Sequence, residues 1–384
     1  MTNQVLIIGG YGRIGSSVAR DLATYTNSEI TITGRKPEVN IKEIPVSRIS
    51  SGVKYLALDL ADKERVKNII YSYSKSSKNL VIHCAGPFHH RDANVLKNCI
   101  EAGINYVDVS DYRGFTRKAL EYYEAAKKSG VTAIINTGIF PGISNSLARQ
   151  SVEQFDEPEE IHLSYVVGGS GGAGVTVMRT TFLGLQNPFD VWIDGKWQSV
   201  KPYSDRQVID FPKPYGKNGV YWFDMPESLT LPTSFPVKTV TTKFGSFPDF
   251  YNHLTWMTAH LFPVSWLKNS GVIEFLSQVS YKMTQITDQY SGIGVAIQAK
   301  VIGKKSGKKA DFCSSIIHKD TATVTGIGAA GIAELILSGK LNQPGVWSVE
   351  NSLSTELFEQ IMQSRGFVKN YGDQSVVYQI QNLK

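Results

Sequence analysis

The start of the chain constrains the fold more strongly than any other part. Residues 5–8 form an apolar run of strand length, Gly9-Gly10-Tyr11-Gly12-Arg13-Ile14-Gly15 follows, and residues 16–23 have helical spacing. A strand, a tight glycine turn and a helix in this order are typical of a dinucleotide-binding unit. One glycine makes the turn, one lets backbone approach a pyrophosphate, and one lets helix and strand pack closely. The pattern predicts that residues 9–15 hold the phosphates at the helix N-terminus.

The end of the second predicted strand indicates which dinucleotide is bound. Residues 29–33 are rich in β-branched side chains and lead into Gly34-Arg35-Lys36. An NAD site usually carries Asp or Glu at this strand end for the ribose hydroxyls, whereas an Arg accommodates the 2′-phosphate of NADP. Because Arg35 stands in place of the acid, the sequence predicts NADP in preference to NAD. The alternative is that Arg35 is a solvated turn residue.

Further β-rich segments alternate with helical ones, at 53–58, 79–83, 104–109 and 131–136. With the first two strands they predict an α/β fold with a Rossmann-type, doubly wound parallel sheet. Ligands of such a sheet gather beyond the carboxyl ends of its strands. At one of these ends, Asp59 either accepts a hydrogen bond from the adenine amino group or caps the next helix. At another, the loop Ala85-Gly86-Pro87 exposes backbone suited to lie along the nicotinamide ribose.

Bulk properties exclude several other classes of protein. The 384 residues are 42% hydrophobic and 19% charged, which is ordinary for a globular protein of about two domains. The net charge of +6 is modest and spread along the chain, so nucleic acid is not an expected partner. Three cysteines without a C-x-x-C pair indicate a reducing, cytoplasmic setting and neither disulfides nor a metal site. No integral membrane segment is expected.

Four motifs together resemble the saccharopine dehydrogenase-like oxidoreductases. They are the glycine turn at 9–15, Cys84-Ala85-Gly86-Pro87-Phe88, the segment 103–111 and Gly138-Ile139-Phe140-Pro141-Gly142. The resemblance implies an NADP-binding domain at 1–140, an inserted α+β substrate and dimerisation domain at 141–322, and a segment at 323–384 that returns to the first domain. It implies hydride transfer to or from an imine, an amino-acid-like compound or a related small or lipid-linked substrate, in a homodimer.

Proton transfer needs a group that the nicotinamide does not supply. Asp108 and Asp111 follow the fifth strand, where either could serve as acid or base or hold a substrate amine. The alternative is that Asp111 caps a helix and Asp108 bonds backbone. Arg179, on a helix of the second domain, is a candidate anchor for a substrate carboxylate or phosphate, or else an ordinary surface Arg.

Two other functions are consistent with parts of the sequence. Tyr123 and Lys127 form a Tyr-x-x-x-Lys pair, which predicts an extended short-chain-dehydrogenase-type carbonyl reductase in which Tyr123 is the general acid. The absence of an obvious catalytic His-carboxylate pair allows a non-catalytic NADP-binding sensor.

Two stretches of the second domain have more than one interpretation. Residues 168–174 are a second glycine cluster between a strand and a helix, but no β-α-β continuation follows. We interpret it as a wall of the substrate cleft or a flexible connection. Residues 256–276 are apolar and aromatic, which predicts core or a subunit interface, with peripheral lipid contact as the alternative.

Overall fold

A computed structural model describes residues 3–37, 53–74, 79–171 and 174–380. The chain divides into two compact units. Unit 1 comprises Met1–Ile143 and Ala322–Ser354, and unit 2 comprises Ser144–Thr321 and Thr355–Lys384.

The elements up to the first crossing between units are β1 (Gln4–Ile8), α1 (Arg13–Tyr25), β2 (Glu29–Gly34), β3 (Val53–Ala57), α2 (Lys63–Ser72), β4 (Asn79–His83), α3 (Asn94–Ala102), β5 (Asn105–Asp108), α4 (Arg113–Leu120), α5 (Tyr123–Lys128) and β6 (Thr132–Ile135), with a 3₁₀ turn at Phe88–His90. The next are α6 (Ile143–Val152), β7 (Glu157–Gly168), α7 (Val175–Leu183), β8 (Phe189–Ile193), β9 (Lys196–Val200), β10 (Gln207–Phe211), β11 (Gly216–Trp222), α8 (Glu227–Ser234), β12 (Thr239–Phe247), α9 (Phe250–Leu261), α10 (Val264–Leu267), α11 (Ser270–Ser291), β13 (Gly294–Lys305) and β14 (Lys308–His318). The last are α12 (Thr321–Ser338), β15 (Gly345–Ser348), α13 (Val349–Ser352), α14 (Thr355–Ser364), β16 (Phe367–Gly372) and β17 (Ser375–Ile380).

The sheet of unit 1 confirms the predicted doubly wound fold. Its described strands are parallel and have the order β15-β6-β5-β4-β1-β2-β3. β1 and β4 are continuous apolar runs because helices cover both faces of a parallel sheet. On one face, Leu6 and Ile8 pack with buried side chains of α2, α3 and α4. β1 lies between β2 and β4, which are reached by crossovers in opposite directions, so the glycine turn after β1 lies at the topological switch point.

Helix α12 belongs to unit 1 from Ala322 onward and is rich in small residues. A Cβ added at Gly326 would lie 2.6 Å from Ser17 Oγ, which shows how closely α12 packs on α1. In the described part of the chain, α12 alone has the length and hydropathy of a membrane span, and 83% of it is buried inside the protein. These contacts are those of a core helix.

The sheet of unit 2 is mixed. Its described strands follow the order β10-β11-β12-β7-β13-β14-β17-β16, and β8 and β9 extend from β12. β7 pairs in parallel with β12 and antiparallel with β13, and β13 forms an antiparallel hairpin with β14. The second domain is therefore α+β, as expected.

The C-terminal segment differs from the prediction. Residues 322–354 belong to unit 1, but Thr355–Lys384 belong to unit 2. The prediction that all of 323–384 returns to the first domain is therefore wrong for the last thirty residues. The physical reason is strand pairing. β17 pairs in parallel with β14 and antiparallel with β16, which places the final hairpin in the second sheet.

Residues 256–276 are core only in part, since Leu267 and Ile273 are buried but several large side chains are exposed. They lie in α9, in α10 and at the start of α11, where Trp256, Trp266 and Phe275 are 40%, 54% and 66% exposed.

Candidate cofactor site

The glycine turn brings three strand ends of unit 1 together. Gly9, directly after β1, has a φ of +76°. A Cβ on Gly9 would lie 2.8 Å from the backbone of Ala85, after β4, so any other residue would push the two loops apart. Gly9 N also donates to Thr33 Oγ1 of β2 at 3.1 Å. The turn is therefore fixed against both neighbouring strands.

Helix α1 opens directly onto this turn. Its N-cap is Gly12, which has no side chain to occupy the first N–H groups of the helix, and Ser16 N closes the first turn on Gly12 O at 2.8 Å. A Cβ on Gly15 would come within 2.5 Å of Gly10 Cα, so glycine is needed for helix and turn to pack. Free N–H donors and the positive end of the helix dipole suit a pyrophosphate, and this cradle fits a dinucleotide.

Arg35 follows β2 and is exposed beside the turn. Next to it, Lys36 Nζ lies 5.4 Å from the centre of the Tyr11 ring, and Tyr55 OH donates to Lys36 O at 2.6 Å. These contacts hold the end of β2 against the glycine turn. A 2′-phosphate at this corner would meet positive charge.

Arg91 is a second cation at this corner, and the sequence interpretation missed it. Its guanidinium is half-buried, and Nε donates to Ala85 O at 2.8 Å. Burial lowers the pKa of Arg91, and the charge of Arg35 lowers it further, while Asp59 opposes both. The charges of Arg91 and Arg35 are therefore close enough to interact. Two nearby guanidinium groups repel each other, so the pair favours an anionic ligand.

Asp59 is exposed and lies two residues beyond the carboxyl end of β3. Its Oδ1 accepts from Ala61 N at 3.0 Å, whereas Asp62 caps α2 by accepting from Arg65 N. The helix-cap interpretation of Asp59 is therefore wrong, and Asp62 has that role. Asp59 and Arg91 both line a cavity of about 370 Å³ that extends between α2 and α3.

The residues on either side of the loop Ala85-Gly86-Pro87 hold it in place. Cys84 N continues the pairing with β1 by donating to Ile8 O at 2.8 Å. Phe88 is buried with its ring centre 5.0 Å from that of Phe115. The loop is thus held at the carboxyl edge of the sheet, beside the glycine turn.

Asp108 is buried and bonds backbone. Its Oδ1 accepts from Ser110 N at 3.0 Å and from Asn136 N at 2.9 Å. Burial raises the pKa of Asp108 to about 6, and these N–H donors oppose the shift. Asn136, which the sequence interpretation also missed, has a φ of +61° and donates from Nδ2 to Ser110 O. Asp108 and Asn136 together join the loops that follow β5 and β6.

Asp111 belongs to unit 1 and Arg179 to unit 2. Asp111 is half-buried and lies one residue before Tyr112, the N-cap of α4, so it is not the cap residue. Arg179, in unit 2, makes a two-pronged ion pair with Glu274 of α11, at 2.6 and 2.8 Å. The pair joins α7 to α11, which favours a structural role for Arg179.

Tyr123 and Lys127 lie at the wrong edge of the sheet for catalysis. A Cβ on Gly345, the first residue of β15, would lie 2.8 Å from the Tyr123 ring, which also packs edge-on against Trp347. Because β15 is parallel to the other strands, its first residue marks the amino edge, opposite the glycine turn. The carbonyl reductase alternative that uses Tyr123 and Lys127 is therefore wrong.

The glycine turn, the open helix N-terminus and the arginine pair at one sheet edge define a dinucleotide-binding protein. A family model described as the saccharopine dehydrogenase NADP binding domain matches residues 5–134, and one described as the saccharopine dehydrogenase C-terminal domain matches residues 138–365. The chain belongs to the saccharopine dehydrogenase family. It is an NADP-dependent oxidoreductase, so the cofactor prediction is confirmed and the non-catalytic sensor is not supported.

Relatives of known activity match over most of the chain. A carboxynorspermidine synthase of Vibrio cholerae is 25% identical, over 93% of this chain and 94% of its own length. A carboxyaminopropylagmatine dehydrogenase of Synechocystis is 24% identical, over 90% of this chain and 92% of its own length. Among solved structures, a saccharopine dehydrogenase (L-Glu forming) from Saccharomyces cerevisiae has a TM-score of 0.67 at 15% identity, covering 94% of this chain and 96% of that one. The structural match concerns the fold alone.

Proposed function

We propose that the enzyme reduces an imine, formed between a polyamine-like amine and an amino-acid-like aldehyde, to a secondary amine, or catalyses the reverse reaction. When bound, NADPH would supply the hydride for the imine carbon, and in this direction a proton would pass to the imine nitrogen. The observation that carries this proposal is the match, along nine-tenths of the chain, to two enzymes whose names combine a carboxyl group with norspermidine or agmatine.

The cofactor is held by unit 1 in this proposal. The backbone of the glycine turn would hold the pyrophosphate at the start of α1, and Arg35 and Arg91 would bind the 2′-phosphate. Asp59 would accept a hydrogen bond from the adenine amino group, and the loop after β4 would hold the nicotinamide ribose. The proposed cofactor-binding residues are Gly9, Gly10, Tyr11, Gly12, Arg13, Ile14, Gly15, Arg35, Asp59, Ala85, Gly86, Pro87 and Arg91.

Asp108 has a positioning role in this proposal. With its Oδ1 engaged by two backbone N–H groups, the carboxylate holds the loops after β5 and β6 at the carboxyl edge. Asp111, in the first of these loops, remains the candidate for proton transfer or for holding a substrate amine. Arg179 would bind a substrate anion only after releasing Glu274, since both prongs of its guanidinium are engaged.

The test is an NADPH oxidation assay with single and paired substrates. We expect oxidation that requires both a primary amine, such as a diamine or agmatine, and an aldehyde that carries an amino-acid group. Mass spectrometry should detect the secondary amine product. Oxidation with the aldehyde alone would identify a carbonyl reductase instead, and no oxidation with any pair, despite tight NADPH binding, would also overturn the proposal.

A further inference from the structure

Three buried polar side chains lie side by side at the carboxyl ends of β4 and β5. His83 is the last residue of β4 and pairs in register with Asp108, the last residue of β5. Tyr106 lies two positions before Asp108, so both side chains are on the same face of the sheet. Each of the three residues is at most 1% exposed. Polar groups buried to this extent need partners within the protein.

The Tyr106 hydroxyl connects the other two side chains. His83 Nδ1 lies 3.3 Å from Tyr106 OH. Burial raises the pKa of Asp108 to about 6, and the N–H groups of Asn136 and Ser110 and the Tyr106 hydroxyl oppose this rise. Both N–H groups bind Oδ1 of Asp108, whereas its Oδ2 is buried and has no partner of this kind in the described part of the chain. Oδ2 is therefore the atom that needs the Tyr106 hydrogen.

His83 is neutral in these surroundings. Burial lowers the pKa of His83 to about 3, and the charge of Arg91 lowers it further, while Asp92 opposes both. The ring centres of Phe88 and Phe115 lie 5.0 and 6.2 Å from that of His83. A neutral imidazole carries one proton, on either Nδ1 or Nε2. The nitrogen that carries it determines the direction of the bond to Tyr106.

The carboxylate determines which nitrogen that is. The hydroxyl hydrogen of Tyr106 can serve one of two acceptors, His83 Nδ1 or Asp108. A hydrogen bond to an ionised acceptor is roughly twice as strong as one between neutral groups, and a buried charge without donors is the costlier defect. The hydrogen therefore belongs to Asp108, and His83 Nδ1 must carry the proton that it donates to the Tyr106 oxygen. His83 Nε2, which is buried without a partner among the described residues, is then a bare acceptor and not an unpaired N–H group.

We propose that His83 and Tyr106 are positioning residues that keep Asp108 ionised at neutral pH, through a chain in which His83 Nδ1–H donates to Tyr106 and Tyr106 donates to the Asp108 carboxylate. The ionised Asp108 holds the N–H groups of Ser110 and Asn136, and with them the loops that follow β5 and β6. The chain thus fixes a carboxyl edge on which the nicotinamide end of the cofactor and Asp111 depend.

The other titratable groups that face these three side chains do not supply the charge. Cys84 and Cys99 lie beside Tyr106, and burial raises the pKa of both thiols, that of Cys84 further through the charge of Asp108. Both are neutral at working pH. Arg91 and Asp92 act on His83 with opposite signs. Asp108 is therefore the one member of this set whose ionisation changes between about pH 5 and pH 7.

The first test is the tautomer of His83 in the wild-type chain. Nitrogen-15 NMR of histidine-labelled protein distinguishes a protonated Nδ1 from a protonated Nε2, and His83→Phe identifies the signal by its loss. We expect Nδ1–H, unchanged between pH 5 and pH 8. A proton on Nε2 would overturn the proposal, because Tyr106 would then donate to His83 and not to Asp108. This measurement needs no variant that folds, apart from the one used for assignment.

The second test is the titration of Asp108 by carbon-13 NMR in the wild type and in Tyr106→Phe. Removing a donor to the charged form disfavours that form, so the pKa of Asp108 should rise by about one to two units. Tyr165→Phe is the matched control. Tyr165 is equally buried, and its hydroxyl donates at 2.8 Å to a different carboxylate, that of Glu227 in unit 2, so the titration of Asp108 should not move. An unchanged midpoint in Tyr106→Phe would overturn the proposal.

The third test is the pH profile of NADPH oxidation, and it alone rests on the proposed function. In Tyr106→Phe, the acid limb of kcat/KM should move to higher pH by the same amount as the Asp108 titration, which a merely destabilised fold would not produce. A limb that stays in place while the titration moves would overturn the positioning role. The two NMR measurements use the chain without substrate, so they decide the hydrogen-bond chain even if no amine and aldehyde pair is turned over.

Discussion

Two glycine-rich loops of this chain have the same local pattern and different surroundings. Both follow a strand and precede a helix, at 9–15 in unit 1 and at 168–174 in unit 2, where residues 172–173 lie outside the described structure. In both loops, the N-cap of the helix is a glycine and no acidic side chain is in the first turn. In the second, Ser170 N donates to Asp288 Oδ1 at 2.8 Å and Gly169 N donates to Phe247 O. A carboxylate of the chain itself binds one N–H group there.

This difference indicates that the position of the preceding strand in its sheet, and not the glycine pattern, determines whether such a loop can bind a phosphate. β1 lies at the switch point of a parallel sheet, where the neighbouring connections diverge and leave a crevice. β7 lies between β12 and the long antiparallel hairpin of β13 and β14, and its loop is tied to α11. Each of the following experiments tests one side of this comparison.

Substitution of Gly15 by Ala should have the largest effect. The new Cβ would come within 2.5 Å of Gly10 Cα and would also meet Gly9 O, and these backbone atoms cannot turn aside as the end of a flexible side chain can. We expect the dissociation constant of NADPH, measured by fluorescence titration, to rise at least about 100-fold, a loss of about 3 kcal/mol. Gly168→Ala is the matched control, because its Cβ would be 3.3 Å from the Tyr215 side chain and should leave NADPH binding unchanged. Equal effects of the two substitutions would remove the distinction between the loops.

Arg35→Asp tests the second component of the first site. A charge-assisted contact to the 2′-phosphate is worth about 1.5–3 kcal/mol, so NADPH affinity should fall roughly 10- to 100-fold. NADH affinity should stay the same or rise, because the new carboxylate can accept from the ribose hydroxyls. Arg65→Asp, the same change at an exposed position of α2, is the control. An unchanged preference between the two cofactors would contradict the role of Arg35.

Arg91→Gln should have a smaller effect of the same kind. Arg91 is half-buried and already donates to Ala85 O, so only part of its guanidinium is available to a ligand. We expect about a tenfold loss of NADPH affinity and little change for NADH. A double variant with Arg35→Asp measures whether the two residues share one phosphate. Strictly additive losses would show that they do not.

The first site could be predicted from the sequence to a large extent, because its determinants are local. Apolar runs gave the strands, and the residues at Gly9, Gly15 and Arg35 lie at their ends. Arg91 was missed because its approach to Arg35 depends on a loop folding back onto Ala85, and no spacing in the sequence records this. Asn136 was missed because its bond to Asp108 joins residues that are 28 positions apart, which no local pattern indicates.

The second sheet was much less predictable for a related reason. β7 and β12 pair although a large part of unit 2 separates them, and β17 reaches β14 from the far end of the chain. Pairings of this kind depend on burial of whole faces and not on local propensity. The same limit explains why the last thirty residues were assigned to the wrong unit.

Asp288→Ala tests the second loop. Removing the acceptor of Ser170 N should lower the melting temperature by a few degrees, since one hydrogen bond to a charged group contributes about 1.5–3 kcal/mol at most. NADPH affinity should not change. Asp288→Asn keeps an oxygen acceptor and should recover most of the lost stability. If Asp288→Ala weakened NADPH binding, the second loop would have to be counted with the cofactor site.

Tyr123→Phe should have the smallest effect, and it extends the comparison to a second local pattern. Tyr123 and Lys127 have the spacing of a catalytic pair, but the ring packs against Gly345 and Trp347 at the amino edge of the sheet, and Lys127 Nζ lies 5.7 Å from the ring centre. Removal of the hydroxyl leaves this packing intact, so turnover and KM should equal those of the wild type within error. A drop in kcat of about 100-fold or more is the usual scale for loss of a general acid. That result would show that Tyr123 is catalytic although it lies at the amino edge of the sheet, and the rule drawn from the two glycine loops would fail.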